Sequence, residues 1–464
     1  MKTITTSVIP ITPTYAKVEA PHELHLEAIC VFAAIGFFLD TDTYWKDEVV
    51  LQPGCKHIIS EDGYLIESTP WFKWHYTPDN TRDFNTTLEE FTVLFESIMD
   101  EQTAGKKVIL PLSGGLDSRT QAVALQHLKA SVNSYSYDFQ GGYKETKIAE
   151  AIAEVCDFDF TAYTIPKGYL WDVLDNLATL NRCESDFTAP RQMAIVDEFE
   201  TMGEVFSLGH WGDVLFDDMG VSDDLPLEDQ VTVLQKKLIK TGGADLATQL
   251  WTHWNLDGDF DSYFNDRISA LLSAIDIPNS ANARIRAFKS LYWAPRWTSV
   301  NLAVFASKHP ITLPYYDQRM CEFICTVPED YLAKRQLQIG YIKERAPKLA
   351  ELTWQEQRPF NLYTFPNNRM PYNLPYRITN KIERVFQELS GKKYVQRNWE
   401  LQFLGEANQK QLDKSLTAQN FIDFIPEVTI KGALSGLDSK IANYHAHQVN
   451  MLLVLAEFKK STNA

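Results

Sequence analysis

The sequence predicts an α/β fold: a parallel sheet covered by helices, with a helical C-terminal part and a short α+β module at the N-terminus. Three observations predict it. Between 107 and 208, short apolar runs alternate with helical periodicities, the pattern of strand–helix units whose strands lie parallel. From about 226 onward the chain reads mostly helical, with aromatic and charged residues interleaved. Before 82, short β-type runs (49-VVLQPG, 57-HIIS, 63-GYLIES) mix with turn residues and aromatics.

Taken in order, the run 28-AICVFAAIGFFL-39 is too short to span a bilayer and contains a glycine, so it reads as a buried helix or strand. The polar stretch 77-TPDNTRDFN-85 reads as a linker, which gives a module over 1–82 and a second unit over 83–464. Leu88, Phe91, Leu94, Phe95 and Ile98 recur at helical spacing and predict a helix over 88–102. A strand over 107–112, a helix over 118–128, a strand over 132–137 and a helix over 145–155 follow. A strand over 160–165, helices over 169–180 and 190–201, and a strand over 204–208 complete the alternation.

Bulk composition narrows the function classes. With 464 residues, 45% apolar and 12% aromatic, the chain has ample material for a packed core. A net charge of −17 and no long basic block argue against a nucleic-acid surface, which is built from clustered Lys and Arg. The six cysteines include no CxxC and read as reduced thiols of a cytoplasmic protein. The first residues, MKTITTSVIPITPTYAK, lack the charged-then-apolar order of a signal peptide. No membrane partner is expected.

The stretch 108-VILPLSGGLDSRT-120 carries the chemistry. A strand runs into two glycines, an aspartate and two hydroxyls, then into a helix. Glycines let successive N–H groups approach an anion, and the helix N-terminus adds partial positive charge. The Ser113 and Ser118 hydroxyls can donate to the same oxygens, whereas Asp117 suits Mg²⁺ bridging phosphates. The bland alternative is a tight turn capped by Asp117 or Ser118. The loop lacks the GKT/S ending of the Walker motif, so kinase or GTPase chemistry is not indicated.

Ser113-Gly114-Gly115-Leu116-Asp117-Ser118 resembles the SGGxDS motif of the PP-loop (adenine nucleotide α-hydrolase-like) ATP pyrophosphatases. The resemblance implies ATP cleavage between the α and β phosphates, with Leu112, Ser113, Gly114, Gly115, Asp117 and Ser118 at the nucleotide. Within that superfamily, 204-EVFSL-208 followed by 209-GHWGDVLFDD-218 is similar to the strand and GxGxD-type loop of the asparagine synthetase group. That likeness assigns Gly209 to the nucleotide and Asp213 to Mg²⁺ beside Asp117. The segment 312-TLPYYDQRMCEFICTVPEDY-331 looks like the group's PFLDxxxxEFAxxxP segment, and 340-GYIKERAPKLAELTWQEQRPF-360 resembles the lysine-containing helix and loop that follow. The chain is thus identified over about 84–360 as resembling the asparagine synthetase/β-lactam synthetase-like family.

This resemblance implies a synthetase using ATP and Mg²⁺ to adenylate a carboxylate and to pass the acyl group to ammonia or an amine. Three departures qualify it. The family's glutaminase nucleophile is a cysteine after the initiator Met; here that residue is Lys2, and 28–76 resembles only the end of that domain. The amine is therefore expected to be free ammonia, a substrate amine, or ammonia from a separate partner protein; a homodimer is also compatible. Three residues before the metal aspartate, where relatives carry glutamate or tyrosine, stands His210, either a base for the attacking amine or a packing residue. No lysine falls at the RPK-like position, leaving Arg358, or Lys343 as runner-up, to balance charge on the leaving groups. Two further readings stay open: a tRNA-modifying PP-loop enzyme, and a catalytically silent binding or regulatory protein.

Other constellations are discounted. In 257-DGDFDSYFNDRI-268 the calcium-loop glycine and final glutamate are replaced by Ser262 and Ile268. His445 and His447 read as helix-surface residues, and Cys321 and Cys325 as core. The aromatic 71-WFKWHY-76 is expected to cover core. The echo 432-GALSGLDSK-440 reads as a helix start capped by Ser435 or Asp438.

Overall fold

The computed structural model describes residues 1–389 and 394–462. The N-terminal strands come first: β1 (Lys2–Thr5), β2 (Tyr15–Lys17), β3 (Glu48–Val50), β4 (Cys55–Ile59) and β5 (Leu65–Pro70). They pair antiparallel as β1-β4-β5 and β2-β3. Between them the apolar run forms a helix, Leu26–Ile35, buried on every side from Ala28 to Ile35. All-round apolarity is what a fully enclosed helix requires, and it also erases the periodicity that distinguishes helix from strand. Gly36 ends it in the left-handed region (φ 86°), its N–H donating to the Phe32 carbonyl.

That helix packs on the helices Gly243–His253 and Ala442–Thr462. Gly243 lies so close to it that a Cβ there would overlap the Ala34 carbonyl. Tyr44 stacks on Phe458 with ring centroids 3.6 Å apart. Elements from both ends of the chain therefore share one continuous core.

The central sheet consists of β6 (Val108–Pro111), β7 (Val132–Phe139), β8 (Asp159–Ile165), β9 (Val205–Ser207) and β10 (Ile311–Thr312). Its order is β10-β9-β6-β7-β8 and every pairing is parallel. The parallel sheet expected from the sequence is present. β6 and β9 are buried on both faces, whereas the edge strand β8 is mostly exposed and buries only Ile165. The helix Phe84–Thr103 buries Leu88, Phe91, Phe95 and Ile98 and is capped by Asp83, which accepts from the Thr86 N–H at 2.8 Å. Among the described residues no helix is long and apolar enough to cross a membrane.

Four local expectations are corrected. β10 was not anticipated in a stretch read as helical; two residues are too short for periodicity to register. It is made by sheet pairing, with Phe206 N–H donating to the Pro310 carbonyl at 2.9 Å. The expected helix over 190–201 is wound as 3₁₀ turns with a kink at Ile195. His447 is not a surface residue: its Nε2 lies 2.9 Å from the Ala33 carbonyl, against the end of the enclosed helix. The echo does not start a helix; Leu434, Ser435 and Gly436 close the helix Glu427–Gly436.

The topology places the site. The chain runs β6–β7–β8 to one side, then returns to lay β9 and β10 on the other side of β6. The order reverses between β6 and β9, and in open parallel sheets ligands bind beyond the carboxyl ends of strands at such a reversal.

Candidate functional site

Both glycine-bearing loops open at that reversal. The first leaves β6 at Pro111 and enters the helix Asp117–His127. Leu112 donates its N–H to the Tyr135 carbonyl at 2.8 Å, so the loop starts locked to β7. The two hydroxyls then brace it: Ser118 Oγ accepts from the Ser113 N–H at 3.1 Å and lies 3.1 Å from Ser113 Oγ. Gly115 N–H donates to Ser113 Oγ at 3.2 Å. The expected phosphate donors thus hold the turn that shapes the helix start, whose first-turn amides have no partner within the helix.

A third segment, 354–360, docks on this loop. Gln355 N–H donates to the Gly114 carbonyl and Gly114 N–H donates to Gln355 Oε1, both at 3.0 Å. Beneath it lies Arg119, fully buried. Its guanidinium donates to the Gly114 carbonyl at 3.3 Å and to the carbonyls of Leu349, Leu352 and Thr353 at 3.2, 3.2 and 2.7 Å. Burial pushes its pKa down to about 10.

Asp117 lies against the second loop. A Cβ on Gly212 would overlap Asp117 Oδ1, and one on Gly209 would sit 3.1 Å from Asp117 Cβ. The glycines of 209-GHWGD-213 are there because the two loops touch. Between them, Trp211 takes the left-handed conformation (φ 78°), uncommon for a side chain of its size, and its Nε1 donates to Ser290 Oγ at 3.0 Å. Asp117 Oδ1 is engaged by the Arg335 guanidinium and by Gln338 Nε2 at 3.1 Å. Burial pushes the Asp117 carboxyl up to about 6; Arg335 opposes the rise and Asp213 adds to it. Among the described residues no hydrogen bond reaches Oδ2, and Asp213 lines the same cavity close enough to raise the Asp117 carboxyl, so the two carboxylates are the donors the site could offer a cation. That set fits Mg²⁺, which takes one or two carboxylates and completes its octahedron with phosphate and water. Among the described residues no group of three or more His, Cys, Asp or Glu could hold a metal unaided.

These loops line one cavity of about 1040 Å³ together with Arg358 and His210. His210 Nδ1 is buried without a hydrogen-bond partner. Desolvation pulls the imidazole down to about 4, against a smaller upward pull from Asp213. The ring is neutral at pH 7. Lys343 is not brought to the cavity; its ammonium sits over the Tyr363 ring, 5.1 Å from the centroid. Of the sequence-predicted residues, Leu112, Ser113, Gly114, Asp117, Ser118, Gly209, His210, Asp213 and Arg358 line it, and Gly115 braces the loop.

Several residues escaped sequence reasoning. Arg335, Gln338, Gln355 and Arg119 meet the loop through tertiary packing alone. On the β7 side Tyr137, Phe139 and Arg191 contribute. On the β9 side Lys289 projects from a segment wound as a π-helix (Lys289–Thr298), with Trp293 and Trp297 four and eight residues on. That four-residue spacing was the one clue in the sequence.

The family pattern agrees with this architecture. The sequence model of asparagine synthase matches residues 92–344, more than half of the chain, and the chain belongs to the asparagine synthase family. Solved structures it is similar to include the U34-tRNA thiolase NcsA from Methanococcus maripaludis, at 12% identity over 67% of this chain and 78% of that one, TM-score 0.23. Another is the NMN synthetase from Francisella tularensis, at 14% identity over 45% of this chain and 93% of that one, TM-score 0.23. No curated protein matches the chain.

Proposed function

We propose that the protein is an AMP-forming ligase that adenylates a carboxylate and transfers the acyl group to ammonia or an amine. The observation that carries this reading is the convergence of the 113–118 loop, the 209–213 loop and Arg358 on one cavity at the sheet reversal. A carboxylate oxygen attacks the α-phosphorus of ATP, the bond to the bridging oxygen breaks, and pyrophosphate leaves with that electron pair. The 113–118 loop and the helix N-terminus behind it receive the leaving anion, which displaces Gln355 Oε1 from the Gly114 N–H. Asp117 Oδ2 and Asp213 would hold a Mg²⁺ that balances charge on the pyrophosphate, and Arg358 adds a fixed cation. Amine attack on the acyl carbon then expels AMP, and the amine sheds a proton. Neutral His210, with Nδ1 unpartnered, is the acceptor the site offers for it. Its conjugate acid is strong, so it serves as a transient acceptor and not as a proton store.

Pairing of Asp117 with Arg335 is the observation that favours a silent, ligand-binding relative instead. A tRNA-modifying role draws less support, because all six cysteines are buried and burial raises each thiol. Incubation with Mg·ATP, a panel of acids and ammonium separates the readings. Acid-dependent, equimolar AMP and pyrophosphate is expected; absence of pyrophosphate release or exchange with every acid would overturn the ligase.

A further inference from the structure

The cavity has a polar glycine-loop side and, beyond β9, an aromatic side to which the proposed reaction assigns no phosphate contact. Its wall is Trp211, Trp293, Trp297 and Phe305, with Thr298 and one cation, Lys289. Among the described residues Lys289 makes no hydrogen bond or ion pair; its ammonium lies 5.7 Å from the Trp211 ring centroid and 5.4 Å from that of Trp293. A largely buried ammonium against two aromatic faces, with Asp213 near enough to favour its charge but not bonded to it, is short of the hydrogen-bonded anionic partner that buried charges usually find.

The wall is also rigid. Trp293 stacks on Phe37 at 5.6 Å, Trp211 is anchored through Ser290, and Phe305 packs edge-on against Phe206 at 5.1 Å. Preformed aromatic walls bind apolar bodies without an ordering cost. They offer little to a polyhydroxylated ligand: Trp211 Nε1 is already used by Ser290, and Thr298 is the one hydroxyl among these wall residues. A π-helical segment, a rare conformation frequently found at functional sites, presents Lys289, Trp293 and Trp297 together.

We infer that this flank is the acid-binding pocket, in which Lys289 receives the carboxylate and the tryptophan wall receives an aromatic or similarly bulky apolar body. The inference rests on the ligase reading for what happens to the bound acid, but its binding step stands apart from it. The 209–213 loop touches Asp117 through Gly209 and Gly212 and meets Lys289 through Trp211, so a carboxylate on Lys289 lies across that loop from the glycine loop, where an α-phosphate would meet it.

The test is equilibrium binding to the full chain without ATP, read by quenching of tryptophan fluorescence. The probes are 3-phenylpropionate, its neutral amide, aspartate and glucuronate. The arylalkanoate is expected to bind about tenfold or more tightly than its amide, the scale of one charge-assisted hydrogen bond, and more tightly than aspartate or glucuronate. Lys289→Gln should erase the preference for acid over amide while leaving amide affinity unchanged, which also shows that the pocket is still folded. Equal or tighter binding of glucuronate or aspartate, or an acid preference that survives Lys289→Gln, overturns the pocket. Pyrophosphate release with polar acids alone would overturn it and leave the ligase standing. Acid binding with no pyrophosphate release would leave the pocket standing and remove the ligase.

Discussion

Two stretches of this chain read almost alike, 112-LSGGLDS-118 and 434-LSGLDS-439, and the fold uses them in opposite senses. The first follows a buried strand and starts a helix; its aspartate side chain is 23% exposed, held by Arg335 and pressed against a second loop. The second follows a helix and stops it. Ser435 Oγ donates back to the Gly432 carbonyl at 3.2 Å, and Asp438, exposed, accepts from Gln409 Nε2 at 3.1 Å. The glycine that lets Gln355 close on the loop in one place leaves room for the His445 ring in the other, since a Cβ on Gly114 would overlap Gln355 and one on Gly436 would overlap that ring. What separates a site from a turn is therefore the element before the glycines and the partner facing the aspartate.

The largest expected difference lies at the two aspartates. Asp117→Asn should lower acid-dependent pyrophosphate release by about 10²-fold or more, the usual consequence of removing one electrostatic stabiliser. Asp438→Asn should leave it within about twofold, as expected for a surface change away from any special feature. Gly212→Ala should follow Asp117→Asn, because the added methyl takes the space of Oδ1. Equal losses from Asp117→Asn and Asp438→Asn would break the comparison.

A second effect is shared by the two regions. His210 beside the first loop and His447 on the helix after the second are each depressed to about 4 by burial. The unfolded value is near 6.5, so the folded state disfavours the protonated form. Their stabilising contribution is complete above about pH 6.5 and is lost as pH falls from there toward 4. His447→Gln should flatten the fall in thermal midpoint between pH 7 and pH 5, and His210→Gln should do the same. A steeper fall in either variant would contradict the burial that sets these values.

Much of this was legible in the sequence, for reasons that can be placed. The 113–118 loop is contiguous, and strand before with helix after gave it meaning; Gly209, Gly212 and Asp213 followed in the same way. Helix Phe84–Thr103 was legible because only one face is buried. Arg335, Gln338 and Gln355 were not, since they reach the loop from more than 200 residues away and no local pattern records that approach. Lys343 was misplaced because helical spacing does not say which face meets the site. His447 and the run 28–39 sit on helices enclosed on all sides, where periodicity vanishes. The echo was misread as a helix start because its residues match the first loop, whereas the helix before it makes its glycine a stop.

The smallest expected effect tests that last point. Gly432 lies inside the helix Glu427–Gly436, exposed, with nothing within 4 Å of where a Cβ would stand. Its φ is not in the left-handed region, so an alanine there meets neither strain nor a neighbour. A glycine in a helix interior is less favourable than alanine by about 0.8–1.0 kcal/mol, through the backbone freedom it loses on folding. Gly432→Ala should therefore raise stability by up to about that amount, read as a higher denaturant midpoint with an unchanged slope. Were this stretch a ligand-approaching loop like 113–118, the same change would lower stability or binding, as Gly212→Ala is expected to do. A Gly432→Ala variant that is destabilised would show that the two stretches are more alike than the fold makes them.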